Sequence, residues 1–124
     1  LLKKLYELRK RDRPPISGAE TMEVLNAAYR MPKEIFNEWL AELIEELEKS
    51  GRELTASARI MLNGSVLTNP DFIRSIEEQD MLVVTDELCT STRYWTDPVI
   101  MDGDIPLRQA VARRYLERRG DQNQ

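Results

Sequence analysis

The stretch Ala58-Arg59-Ile60-Met61-Leu62-Asn63-Gly64, followed by Asn69-Pro70-Asp71 and then Met81-Leu82-Val83-Val84-Thr85, decides the fold of this chain. The first run is short and apolar and closes on an Asn-Gly turn, which reads as a buried strand. Asn69 is a side-chain cap, Pro70 suits a first helical position and Asp71 puts an acid in the first turn, so a helix is expected to about Gln79. The second run is β-branched and nearly continuous in apolar character, as strands covered on both faces are. Strand, helix and strand at this spacing predict an α/β fold built on a right-handed β-α-β unit with a parallel sheet. Two strands do not make a stable sheet by themselves, so further strands are expected from chain outside these residues or from another molecule.

Upstream the pattern is helical. Leu1, Leu5 and Leu8 share one face of a helix expected to reach about Asp12, where Pro14-Pro15 ends it. Ser17 and Glu20 have the spacing of a capping box and open a short helix through about Tyr29. Pro32, at a first helical position, opens the longest helix, to about Ser50, with Gly51 as its stop. Along it Ile35, Phe36, Trp39, Leu40, Leu43, Ile44 and Leu47 recur at helical spacing, and Glu38, Glu42, Glu45, Glu46 and Lys49 take the other face. Downstream, residues 86–103 read as a long polar loop, and a last helix runs from Ile105 to about Arg119. The organisation is thus a helical lead-in over residues 1–55, then a β-α-β portion with a C-terminal helix over residues 56–124. The chain opens on Leu1-Leu2-Lys3-Lys4, as if in mid-helix, which is expected of a segment of a longer protein.

Composition removes several function classes. The 124 residues carry 18 Lys+Arg against 22 Asp+Glu, a net charge of −4, with one Cys and no His. Without His, neither a Ser-His-Asp nor a Cys-His arrangement can be assembled within the chain, nor a zinc site that uses imidazole. One Cys makes no internal disulfide, and no apolar run approaches the roughly 20 residues of a membrane helix, so a soluble cytoplasmic protein is expected. Charge is blocked: Lys3, Lys4, Arg9, Lys10, Arg11 and Arg13 crowd the start, glutamates crowd the long helix, and Arg108, Arg113, Arg114, Arg118 and Arg119 crowd the end. These basic groups lack the interleaved aromatics of a nucleic-acid surface, and they read as solvated helix faces.

Candidate chemistry collects where open α/β sheets bind ligands, past the carboxyl ends of the strands. After the first strand, Gly64-Ser65 leads towards a helix start and suits close approach of an anion such as a phosphate or thioester oxygen, or it is a plain turn. After the second strand, Cys89 stands among Thr90, Ser91, Thr92 and Arg93, whose charge favours a thiolate. Such a thiol is a nucleophile, a redox sensor, one metal ligand, or a small buried hydrophobe. Asp86, Glu87, Asp97, Asp102 and Asp104 either gather around a hard cation or form a solvated acidic loop. Arg93, Tyr94 and Trp95 either clamp an anionic or planar ligand or anchor the loop on the core.

The loop also carries a resemblance. Ala-Arg-Ile-Met-Leu-Asn-Gly-Ser from residue 58, Asn-Pro-Asp-Phe-Ile from residue 69 and Leu-Val-Val-Thr-Asp-Glu-Leu-Cys-Thr-Ser-Thr-Arg-Tyr-Trp from residue 82 resemble the 2-hydroxyacyl-CoA dehydratase D-component family, which includes benzoyl-CoA reductase subunits. Pro-Pro-Ile-Ser-Gly-Ala-Glu and the acidic helix look like that family's helical lead-in. The resemblance implies a subunit of flavodoxin-like or Rossmann-like α/β domains, holding a four-iron four-sulfur cluster through cysteines from separate segments, with Cys89 matching one ligand. It implies an acyl-CoA substrate, a second homologous subunit and an ATP-dependent activator protein that delivers a low-potential electron to form a ketyl-type radical. Gly64, Ser65 and Arg93 would line the thioester site, and the hydroxyls of Thr90, Ser91 and Thr92 would donate towards the cluster. Two positions depart from the family's pattern. Ser91 stands where Gly is common, and Gln79-Asp80 where a Gly often precedes the strand, although Asp can enter the left-handed region. The competing class is a non-catalytic helical interaction module, in which the face of Trp39, Leu43 and Leu47 docks a partner and Cys89 is structural.

Overall fold

A computed structural model of the chain describes residues 1–101 and 103–121, with 117–121 described by their backbone alone. It contains α1 (Leu2–Arg9), α2 (Gly18–Arg30), α3 (Lys33–Lys49), β1 (Ala58–Asn63), α4 (Pro70–Glu77), β2 (Met81–Glu87), α5 (Thr92–Trp95) and α6 (Leu107–Asp121). The chain divides into a compact unit over Leu1–Tyr94 and a second over Trp95–Gln124. In the second, the Arg114 guanidinium donates to the Asp97 carbonyl and lies over the Tyr115 ring, 4.9 Å from its centroid. No described helix is long and apolar enough to cross a membrane.

The expected β-α-β unit is present, with β1 and β2 paired in parallel. One register shift interrupts the ladder: Ile60 faces Val83 but Met61 faces Thr85, so Val84 is the extra residue of a bulge on β2. β1 is not the buried strand its composition suggests. Ile60 and Leu62 turn inward, while Arg59, Met61 and Asn63 are exposed, so only one face is covered. β2 buries Leu82, Val83 and Asp86, and it runs two residues further than the apolar run, into what reads from sequence as loop. Asp80 adopts a left-handed φ of 59°, and its carbonyl accepts from the Ser57 N–H at 3.1 Å, so an aspartate makes the turn into β2 without glycine.

Each helix terminus has a local cause. The Ser17 and Glu20 side chains form the expected capping box at α2. α3 begins one residue later than expected, because Pro32 is its extended cap rather than its first residue. Gly51, at φ 64°, supplies the left-handed residue just past it. α1 stops at Arg9 rather than near Asp12, and the carbonyls just past its end take another partner. The Arg59 guanidinium, reaching over from β1, donates to the carbonyls of Arg11 and Asp12 at 2.8 Å and of Lys10 at 3.3 Å.

Two apolar clusters hold the larger unit. Leu5, Leu8, Ile16, Ala28, Phe36, Leu40, Ile44 and Leu47 join α1, α2 and α3. Ala19, Met22, Ile73, Val83 and Leu88 join α2 and α4 to the sheet. The face imagined for partner docking is divided by the first cluster. Leu47 lies within it and Leu43 packs against it, leaving Trp39, 60% exposed, and Ile35 outside.

α2 meets β2 unusually closely. A Cβ on Gly18 would lie 2.5 Å from the Val83 Cβ and 2.8 Å from its carbonyl oxygen, so only glycine fits there. The Glu77 carboxylate closes the junction, accepting from the N–H groups of Gly18 (2.8 Å), Ala19 (3.2 Å) and Val83 (3.3 Å). A carboxylate on the first amides of a helix satisfies unpaired donors and complements the helix dipole.

Candidate functional site

β2 ends at Glu87, and the chain turns through Leu88–Ser91 into α5. The turn is closed by its own serine: Ser91 Oγ accepts from the Leu88 N–H at 2.9 Å, and the Ser91 N–H donates to the Leu88 carbonyl at 3.1 Å. Ser91 is fully buried, and its φ is not positive, so a serine side chain at this position stabilises the turn instead of straining it.

Cys89 lies on the exposed side of the turn. Its backbone is fixed although its thiol is open. The Cys89 N–H donates to the Ser65 carbonyl at 3.1 Å, and the Gly64 N–H donates to the Glu87 carbonyl at 3.3 Å, so strand-like bonds continue past both strand ends. One residue on, Thr90 Oγ1 donates to the Leu67 carbonyl at 2.7 Å, and the Thr90 carbonyl accepts from the Tyr29 hydroxyl of α2 at 2.8 Å. The Tyr29 ring packs on Tyr94, with centroids 4.7 Å apart, and its pKa is pushed up to about 12, by burial first and by Tyr94 second.

Gly64, Ser65, Cys89 and Arg93 therefore come together at one rim, but in more specific roles than the sequence suggests. Arg93 ties the two loops. Its Nε donates to Glu87 Oε1 at 3.2 Å, and its terminal nitrogens donate to the Gly64 carbonyl at 3.3 Å and to Asn63 Oδ1 at 3.2 Å. The bond to Glu87 is the main reason the Arg93 pKa is raised, with the nearby Cys89 thiol a smaller contributor. Gly64 is not demanded by crowding, since a Cβ there would meet only Leu88 Cδ2 at 3.6 Å, an ordinary contact. The hydroxyl protons of Thr90 and Thr92 go to the Leu67 and Asp86 carbonyls, and that of Ser91 turns back to Leu88, so these three groups brace the turn.

The largest departure from the sequence reading lies under the turn. Asp86, read there either as one of several carboxylates around a hard cation or as part of a solvated acidic loop, is 3% exposed, and Arg9, read as part of a solvated basic face, is 0% exposed. Arg9 donates to Asp86 Oδ2 at 2.6 Å and to the Val83 carbonyl at 3.0 Å. The Tyr6 hydroxyl donates to Asp86 Oδ1 at 2.7 Å, and the Arg9 guanidinium stacks 4.6 Å from the Tyr6 ring centroid. Burial, and then the Asp86 charge, raise the Tyr6 pKa well above the ordinary tyrosine value, so its proton stays on the hydroxyl that Asp86 needs. Two sequence signals could have found this network. Arg9 follows Leu5 by four residues and so falls on the apolar stripe of α1, and Asp86 follows directly on the apolar run of β2, although the bulge at Val84 breaks the simple alternation that would mark it as inward.

Among the described residues, no group of three or more His, Cys, Asp or Glu side chains gathers where a metal ion could be held. Asp102, one of the carboxylates considered for a cation, lies outside the described residues. The rim therefore offers one open thiol on a rigid turn, flanked by an arginine, at the carboxyl ends of parallel strands.

A search of the curated proteins finds no match to the chain. The family model for 2-hydroxyglutaryl-CoA dehydratase, D-component, matches residues 1–121, which includes α1 to α6 and the whole Cys89 rim. The chain belongs to the 2-hydroxyglutaryl-CoA dehydratase D-component family.

Proposed function

We propose that this chain is the part of a 2-hydroxyacyl-CoA dehydratase or benzoyl-CoA reductase type subunit that presents Cys89 as one ligand of a four-iron four-sulfur cluster. The observation that carries the reading is the Cys89 turn: an exposed thiol whose backbone is bonded on both sides, at Cys89 N–H and at the Thr90 carbonyl. A cluster ligand needs an accessible sulfur with little freedom to move, and this donor fits that need. Clusters of this type take four cysteine ligands, and this chain has one Cys, so the remaining ligands belong to other segments or subunits.

When bound, the cluster would supply a single low-potential electron to an acyl-CoA thioester, delivered in turn by an ATP-dependent activator protein. The chain's own residues do the rest of the work assigned to this rim. Arg93 holds the β1 and β2 loops together and keeps a positive charge beside the Cys89 sulfur, and the exposed Gly64-Ser65 turn leaves room for the thioester beside it. Thr90, Ser91 and Thr92 keep the sulfur's mount from shifting as charge changes nearby. A second homologous subunit would complete the enclosure.

The test is anaerobic reconstitution with iron and sulfide of the subunit that carries this chain, in native form and with Cys89→Ala. The substitution is expected to reduce bound iron and to alter the visible absorbance and electron spin resonance of the reconstituted protein. Identical iron content and spectra in the two proteins would remove Cys89 from the ligand set.

A further inference from the structure

β2 does not run straight to the Cys89 turn. The bulge at Val84 re-aims the strand just before its last residues, and bulges of this kind bend and twist the strand that carries them. A bend next to a turn leaves the turn's direction poorly fixed unless something spans it. Arg9 spans it: one terminal nitrogen holds the Val83 carbonyl before the bulge at 3.0 Å, and the other holds the Asp86 carboxylate beyond it at 2.6 Å. Tyr6 takes the second carboxylate oxygen at 2.7 Å. The Asp86 carbonyl accepts from Thr92 Oγ1 at 2.8 Å, on the far side of the Cys89 turn. Asp86 thus connects α1 to both ends of the segment that bears the thiol.

A buried ion pair is a poor choice for stability alone, because removing two charges from water offsets most of their attraction. A planar guanidinium that bridges two acceptors at fixed spacing is a good choice for geometry. We infer that Tyr6, Arg9 and Asp86 are positioning residues that lock the bulged end of β2 and so fix the direction in which the Cys89 thiol points. The assignment of that thiol to a cluster rests on the function proposed above, whereas the locking itself is a property of the metal-free protein and is tested there.

The test uses Tyr6→Phe, which removes one bond and leaves the ion pair, and Arg9→Lys, which keeps the charge but cannot bridge Val83 and Asp86 as a fork. Amide hydrogen exchange is followed in the metal-free protein. Exchange at the Cys89 and Gly64 amides is expected to quicken by about tenfold in Arg9→Lys and less in Tyr6→Phe, on the scale of one lost hydrogen bond. The amides of α3 keep their rates. With every cysteine other than Cys89 replaced by serine, a trifluoromethyl tag on the Cys89 sulfur is expected to give one fluorine resonance in the parent and a broadened or second resonance in Arg9→Lys. The inference is overturned if the two rim amides and the fluorine line are unchanged in both variants. It is equally overturned if exchange quickens as much in α3 as at the rim, since the network would then be a general brace. Neither outcome bears on iron content in Cys89→Ala, so this inference and the proposed function fail separately.

Discussion

The α1-α2-α3 cluster and the Cys89 rim are held by opposite means. In the first, Phe36, Leu40, Ile44 and Leu47 project one apolar stripe of α3 onto Leu5, Leu8 and Ala28. The Lys4–Glu48 pair, at 3.1 Å with both side chains more than a third exposed, is of the kind that contributes little. At the rim, the burial of Leu88 and Val83 is supplemented by directed bonds, and the ion pair of Arg9 and Asp86 is almost wholly withdrawn from water. Apolar contact tolerates small sliding. A bridging guanidinium and a carboxylate with both oxygens engaged do not. Regions that must merely exist and regions that must aim an atom are built differently within one unit, and α1 serves both through Leu5, Leu8 and Arg9.

The largest expected effect tests the rim. Arg9→Met keeps the volume but leaves the Asp86 carboxylate buried without its cation, which is expected to lower stability by about 3–5 kcal/mol in denaturant unfolding. Pairing it with Asp86→Met removes the stranded charge and is expected to recover most of that loss. The double variant should still lack slow exchange at the Cys89 amide, which would separate what the pair does for aim from what it does for stability. Recovery of both would break the distinction. The next effect tests the cluster: Ile44→Ala opens a cavity beneath α3 at a residue 2% exposed, and a loss of about 2–5 kcal/mol is expected. Exchange at the rim amides should stay unchanged relative to the rest of the larger unit, since nothing directed is lost there.

How much of each region was legible follows from the same difference. Apolar burial writes itself into sequence as periodicity, so the stripe of α3, the Ser17 capping box, the Asn69-Pro70 start of α4 and the parallel β-α-β unit are all readable. Directed bonds leave a weaker trace. Asp86 and Arg9 are ordinary charged residues by composition, and their pairing joins positions 77 residues apart, beyond any local pattern. The hydroxyls of Thr90, Ser91 and Thr92 are visible, but whether each faces a ligand or a carbonyl depends on where the β1 loop runs. Gly18 was legible only as part of a capping motif. The Val83 backbone that makes it indispensable comes from a strand far along the chain.

Trp39 gives the smallest effect and the sharpest test of where the cluster ends. Its spacing places it on the apolar stripe of α3, one helical turn before Leu43, yet it is 60% exposed and Ile35, one turn earlier, is 43% exposed. The stripe is wider than the surface it covers: Phe36, Leu40, Ile44 and Leu47 fill the space against α1 and α2, and a residue at its margin has no facing helix within this unit. Trp39→Gln should then change unfolding stability by no more than about 0.5 kcal/mol, the range of a surface substitution. A loss near that of Ile44→Ala would mean that the indole is buried by a neighbour in the folded protein, and the boundary drawn between the cluster and its margin would have to move.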